Sequence, residues 1–234
     1  MKTVDELSVF FPAYNEEGNI ASTVKKSLDV LSKLQLKNYE VLVIDDGSTD
    51  QTRKIVEEIT AKDKHVRLIT HTPNRGYGEA VKSGLYNARY PWIAFTDADG
   101  QFDFSEVTKL LEKADQAPVV IGYRMNRQDP WQRKLFGWGW TALTNTLLGI
   151  RVRDIDCAFK LIRKDVIENI LSLQSTRGAM ISPELIAKIR KKGYKVVEVG
   201  VSHYPRTAGK QTGSNLKVVF KSFIDLTKLW WQIK

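Results

Sequence analysis

Short apolar runs recur along the chain, and between them lie longer stretches in which apolar residues return every three or four positions. The runs Leu7 to Phe11, Glu40 to Ile44, Val66 to Thr70, Trp92 to Thr96 and Val119 to Tyr123 have the length and the β-branched and aromatic content of buried strands. The intervening patterns predict helices over Gly18 to Leu34, Asp50 to Ala61 and Tyr77 to Arg89, and a fourth starting at Ser105. Each helix begins just past the carboxyl end of a strand, which is the βαβ rhythm of an α/β fold with a mostly parallel central sheet flanked by helices. Further on, Ser182, Pro183 and Glu184 read as an N-cap, a first-turn proline and an early acid, and predict a helix to about Lys192. Gly193 ends it, and Lys195 to His203 reads as another strand. No internal repeat or low-complexity linker interrupts this order, and the one loop rich in turn formers is Pro205 to Asn215.

The last segment, Leu216 to Ile233, carries Leu216, Val219, Phe220, Phe223, Ile224, Thr227 and Trp230 at helical spacing, with lysines mostly elsewhere around the helix. The chain therefore divides into a body, residues 1–213, and a basic amphipathic helix, residues 214–234. Such a helix either lies in a membrane interface, where tryptophan and lysine are favoured, or docks on its own domain. The sequence leaves both open. Between Lys188 and Lys234 eleven Lys and Arg face only Glu198 and Asp225, so this stretch alone equals the net charge of +9 carried by the whole chain. That asymmetry adds an anionic partner at this end, whether phosphate, membrane surface or nucleic acid. No run approaches the roughly 18 apolar residues needed to cross a bilayer, and the charged start, Met1 to Glu6, lacks a signal-peptide core, so a cytoplasmic protein is expected. Cys157 has no second cysteine to pair with, and His65, His71 and His203 lack the close spacing of a zinc site.

The chemistry gathers at strand ends. Asp97 and Asp99 stand two residues apart directly after a predicted strand, where an open parallel sheet leaves its ligand crevice. With the amide oxygen of Gln101 they offer hard oxygen ligands that suit Mg2+ or Mn2+ and leave positions for diphosphate oxygens. The plain alternative is a polar turn capping the next helix. At the ends of the first two strands, Tyr14 is placed to lie against a base or ribose, and Glu16 and Asp46 to accept hydrogen bonds from their hydroxyls. Together these residues describe a nucleotide site with a metal. Ser48 and Asp50 read as caps of the second helix. Gly76-Tyr77-Gly78 resembles the start of a dinucleotide fingerprint, but it lacks the third glycine and follows the third strand, so its glycines instead let a helix start close to a ligand or a neighbour. No phosphate-cradling Gly-Lys-Ser or Gly-Lys-Thr loop is present, and no nucleic-acid motif accompanies the basic residues.

In order and approximate spacing, Pro12-Ala13-Tyr14-Asn15-Glu16, Asp45-Asp46-Gly47-Ser48, Asn74-Arg75-Gly76, Asp97-Ala98-Asp99 and Arg206 resemble glycosyltransferase family 2, more narrowly its dolichyl-phosphate mannose synthase and polyprenyl-phosphate glycosyltransferase branch. The resemblance implies the Rossmann-like GT-A fold, an inverting transfer and a divalent cation, Mg2+ or Mn2+. It assigns Pro12, Tyr14, Glu16, Ile44 and Asp46 to the nucleotide, Asp97 and Ala98 to the nucleotide sugar, Asp99 and Gln101 to the metal, Arg124 to the donor phosphates, and Arg206 to the phosphate of the acceptor. Asp156-Cys157-Ala158-Phe159-Lys160-Leu161 resembles the family's Asp-x-Gly-Phe-Lys-Leu with alanine in place of glycine. In the acceptor loop the lysine, Lys210, stands four residues after the arginine where close relatives of the mannose synthase have it at the sixth.

The function this implies is metal-dependent transfer of a hexose, mannose or glucose, from a nucleotide diphosphate sugar of the GDP-mannose or UDP-glucose type to a polyprenyl phosphate at the cytoplasmic membrane face, with room for a membrane partner protein. A lipid phosphate is already anionic and needs no base; a saccharide hydroxyl acceptor would need one, and Asp156 and Glu184 are then the first candidates. A nucleotide-sugar binding module without catalysis is the reading from a different class.

Overall fold

The computed structural model describes residues 4–125, 127, 131–170, 172–176, 178–206 and 216–233. Seven strands form one sheet: β1 (Glu6–Ala13), β2 (Asn38–Asp45), β3 (Val66–Thr70), β4 (Trp92–Phe95), β5 (Val119–Met125), β6 (Lys160–Arg163) and β7 (Val196–Ser202), in the order β3-β2-β1-β4-β6-β5-β7. All neighbours are parallel except β6, which runs antiparallel to both β4 and β5. The antiparallel β6 is absent from the sequence reading because Lys-Leu-Ile-Arg is short and charged at both ends; its lysine is nevertheless buried.

Strand alternation sorts the core into two layers, one on each face. Phe10, Leu42, Ile44 and Ile93 point to one side, where α3 (Tyr77–Asn87), α6 (Lys164–Asn169) and α7 (Gly178–Lys191) cover them. Val9, Phe11, Val41 and Val43 point to the other, under α1 (Ile20–Leu31), α2 (Thr52–Thr60) and α4 (Val107–Leu111). Burial on both faces is why these strands read as continuous apolar runs. α7 starts a turn earlier than the sequence predicts, and Pro183 lies inside it.

Two helices stand outside this sandwich. α5 (Trp131–Leu148) has apolar residues spread around its circumference and carries no clear periodic signal. α8 (Leu216–Ile233) packs on the body: Leu226 and Leu229 are buried with Met180 of α7, and Phe223 meets the Trp140 ring of α5 edge-on at 5.7 Å. Among the described residues no helix is long and apolar enough to cross a membrane.

Candidate active site

The strand order reverses between β1 and β4, and at such a switch point the chain leaves a crevice beyond the strand ends. A cavity of about 390 Å³ occupies it. Pro12, Tyr14 and Glu16 line it from the end of β1, Asp46 from β2, and Asp97, Ala98 and Asp99 from β4. Asn74, Gly76 and Tyr77 close another wall, and Arg206 enters from the segment after β7. Asn15 adopts a left-handed conformation (φ 55°), and its side-chain oxygen accepts the Thr49 N–H at 2.8 Å, which fixes the loop between Tyr14 and Glu16. Tyr14 lines the cavity while staying 44% exposed.

The floor of the cavity is acidic and poorly solvated. Burial, then the charge of Asp97, pushes the Asp99 carboxyl up to about 6, against the Gln101 N–H that it accepts and the Arg206 charge. Asp97 is also raised by burial, while the Tyr77 hydroxyl, Lys160 and Arg124 pull it back. Glu16 is raised by burial and opposed by Asn19 and Arg206. Arg206 supplies the positive charge between them: its guanidinium pairs with Glu16, and its Nη1 lies 3.6 Å from Asp99 Oδ2. Two mutually repelling, buried carboxylates beside an open cavity are a donor set that a hard divalent cation fits, with Asp99 as the protein ligand and Asp97 beside it. Among the described residues no group of three His, Cys, Asp or Glu side chains is arranged to hold a metal ion.

Asp46 serves the protein first. Its Oδ1 accepts the Arg75 N–H at 2.9 Å and faces His71 Nδ1 at 2.7 Å, and its Oδ2 accepts the Gly76 N–H at 2.8 Å. It lines the cavity as the anchor of the Asn74-Arg75-Gly76 loop. Gln51 holds the N-cap position of α2; Asp50, one residue earlier, accepts the Thr52 N–H, whereas Ser48, read from the sequence as a second cap, instead accepts the Asn15 N–H of the β1 loop.

Other predicted residues lie elsewhere. Ile44 is fully buried in the core and its side chain does not line the cavity. Gln101 turns its amide nitrogen to the Tyr204 carbonyl at 3.2 Å and also stands outside the lining. Arg124 does not reach the donor cavity: its Nε and Nη2 donate to Asp154 at 2.7 and 2.8 Å, a fork matched to a carboxylate. Burial opposes the Arg124 charge, yet Asp154 holds its pKa above the usual value. Glu184 accepts the Gln174 and Ser175 N–H groups and Lys188, so its carboxylate is occupied as a loop anchor. Asp156 keeps solvent contact and lines neither recess; desolvation by the protein around it, opposed by Arg124 and reinforced by Asp154, pushes it up to about 6. Cys157 is buried, and its thiol is pushed up to about 12 by burial, then by Asp154. Lys210 lies outside the described residues.

The structure also shows a second recess, of about 300 Å³, which the sequence reading missed. Arg124, Arg127, Lys134 and Arg153 line it around Asp154, with Trp138 also in the lining. The Arg153 guanidinium lies over the Tyr123 ring at 4.7 Å. Above it α5 exposes Trp131, Leu135, Phe136 and Trp138, each more than half accessible. These cations come from separate elements, so no local motif announces them.

Comparison with known proteins agrees with this geometry. The profile of the family described as glycosyl transferase family 2 matches residues 8–171, and the chain belongs to that family. A dolichyl-phosphate beta-glucosyltransferase of Trichomonas vaginalis is 28% identical over 243 residues, covering 95% of this chain and 72% of that protein. An undecaprenyl-phosphate 4-deoxy-4-formamido-L-arabinose transferase of Proteus mirabilis is 28% identical over 228 residues, covering 97% and 68%. Among solved structures, glucosyl-3-phosphoglycerate synthase of Mycobacterium tuberculosis with Mn2+, UDP-glucose and phosphoglyceric acid superposes with a TM-score of 0.70 at 17% identity, over 97% of this chain and 80% of that one. That likeness establishes the fold, a GT-A glycosyltransferase sheet with flanking helices.

Proposed function

We propose that this family 2 glycosyltransferase moves a hexose, mannose or glucose, from a nucleotide diphosphate sugar to a polyprenyl phosphate at the cytoplasmic face of the membrane. The observation that carries the reading is the pairing of an acidic cavity at the β1/β4 switch point with a basic recess beneath the exposed aromatic face of α5. Arg124 joins the two, because it lines the recess while its charge lowers the pKa of Asp97. An acceptor with an anionic head and a hydrocarbon tail matches such a surface: cations for the phosphate, tryptophans and leucine for the bilayer boundary. The relatives named for dolichyl-phosphate and undecaprenyl-phosphate transfer support the same acceptor class.

In this reading Tyr14 stacks on the base, the loop anchored by Asp46 walls the ribose, and Arg206 stands beside the diphosphate. A divalent cation at Asp99, Mg2+ or Mn2+, would stabilise the charge that collects on the departing diphosphate. The acceptor phosphate attacks the anomeric carbon from the opposite side as the bond to the diphosphate oxygen breaks, giving inversion. Its oxygen is already ionised, so no residue must remove a proton. The test incubates the purified chain and Mn2+ with UDP-glucose or GDP-mannose, with and without polyprenyl phosphate, and identifies products by mass. Lipid-linked hexose is the expected product; hydrolysis alone, or no turnover with any donor, would reject the reading.

One observation favours a saccharide hydroxyl acceptor instead. Asp156 is accessible to solvent and is pushed up to about 6, the range of a general base at neutral pH. Glycoside formed on a sugar alcohol, lost on Asp156→Asn, would select this alternative.

A further inference from the structure

The Gly76-Tyr77-Gly78 turn is gripped from two sides. On one, Asp46 accepts the Arg75 and Gly76 N–H groups while His71 Nδ1 faces Asp46 at 2.7 Å, and His71 Nε2 in turn lies 2.9 Å from the Ser83 hydroxyl. Asp46 and His71 are both buried, so neither is held by solvent. On the other, the Gly78 N–H donates to the Thr176 carbonyl at 2.9 Å, and the 174–176 segment is fixed by Glu184 through the Gln174 and Ser175 N–H groups. The approach leaves no room for side chains. A Cβ on Gly76 would lie 2.8 Å from the Thr176 oxygen, one on Gly78 would lie 2.5 Å from the Ser175 oxygen, and Gly76 also has φ +96°.

What the clamp holds is Tyr77. Its ring packs against the core and beside Gly178, and its hydroxyl donates to Asp97 Oδ1 at 2.7 Å inside the cavity. Without that donor, one oxygen of a poorly solvated carboxylate would lose the hydroxyl that holds it, and the side chain would be less restrained about χ2. We propose that Tyr77 is a positioning residue for the transfer: held by the Asp46–His71 and Glu184–Thr176 clamps, it fixes the Asp97 carboxylate in the orientation that receives the nucleotide sugar. This rests on the donor-site reading above.

The test is calorimetric titration of the full chain with UDP and with GDP, each with Mn2+, alongside thermal melting. Wild type is expected to bind at least one of the two. Tyr77→Phe keeps the ring and its packing, so its melting temperature should match wild type while nucleotide affinity falls by about tenfold, the scale of one hydrogen bond to a charged group. A residue that served packing alone would leave both melting and affinity unchanged in Tyr77→Phe. His71→Ala should weaken binding in the same direction, and His71→Asn, which restores an N–H toward Asp46, should recover most of the loss. Wild-type affinity in Tyr77→Phe, or no difference between His71→Ala and His71→Asn, overturns the inference while the donor site stands. If wild type binds neither nucleotide, the donor site and this inference fall together.

Discussion

Arg206 Nη1 faces Asp99 Oδ2 at 3.6 Å, and the same guanidinium pairs with Glu16, which also lines the cavity. A residue that sequence resemblance assigns to the acceptor phosphate thus bridges two carboxylates of the donor cavity. Arg206→Ala is therefore expected to raise KM for the nucleotide sugar by roughly tenfold and KM for polyprenyl phosphate by less, since a charge-assisted contact to the diphosphate is lost. Initial-rate kinetics with each substrate varied in turn decide it; a larger effect on the lipid KM would put Arg206 at the acceptor.

Asp99 carries the strongest expectation for the metal. Asp99→Asn keeps the shape of the turn and removes the ionised ligand, so transfer should fall by at least about a hundredfold, on the scale of one lost electrostatic stabiliser of the transition state. Mn2+ should also cease to enhance nucleotide binding. Unchanged Mn2+ dependence in calorimetry would exclude Asp99 as the ligand.

Arg124 and Asp154 form a largely buried, doubly hydrogen-bonded pair, with side-chain exposures of 12% and 11%. Removing either partner strands the other, so Arg124→Ala and Asp154→Ala should each cost about 3 kcal/mol of stability, and the double variant clearly less than their sum. Urea denaturation of the four proteins in a cycle measures this. Full additivity would mean that the pair is not coupled.

The two outer helices should behave differently. Leu226→Ala or Leu229→Ala in α8 removes a buried side chain from the contact with Met180 and is expected to cost about 2–4 kcal/mol. Phe136→Ser with Trp138→Ser in α5 removes exposed apolar surface, so stability should hold while sedimentation with anionic vesicles falls several-fold. Vesicle binding that survives the α5 changes but is lost on cutting the chain near Gly213 would move the membrane contact to α8.

Glu184 predicts a pH signature in stability. Burial raises its pKa, but Lys188 and the Ser175 and Gln174 N–H groups outweigh it, so the folded carboxyl sits below its unfolded value of about 4.3. A depressed folded pKa contributes stability above the unfolded value and loses it as pH falls through the folded one. Glu184→Gln should therefore be less stable than wild type by about 1–3 kcal/mol at pH 7, with the gap narrowing below about pH 4. A gap independent of pH would assign the loss to packing.

Much of the fold was readable in one dimension because its signals are local. Strands buried on both faces must be apolar at every position, so β1, β2 and β4 stood out, and cavity-lining residues such as Tyr14, Glu16, Asp97 and Asp99 follow directly at their carboxyl ends. β6 and α5 did not stand out: one is a four-residue strand with a buried lysine, and the other is apolar on more than one side.

By itself, then, the sequence determined the α/β class, the polar strand ends that line the cavity and the acidic pair, since each depends on neighbours a few residues apart. Only the tertiary structure decided the partners. It paired Arg124 with Asp154, Arg206 with Glu16, and Tyr77 with Asp97, and it gathered Arg127, Lys134 and Arg153 into one recess. A hydrogen bond forms within about 3 Å whatever the separation along the chain, and that distance is set by how helices pack across a sheet, which no spacing of residues records.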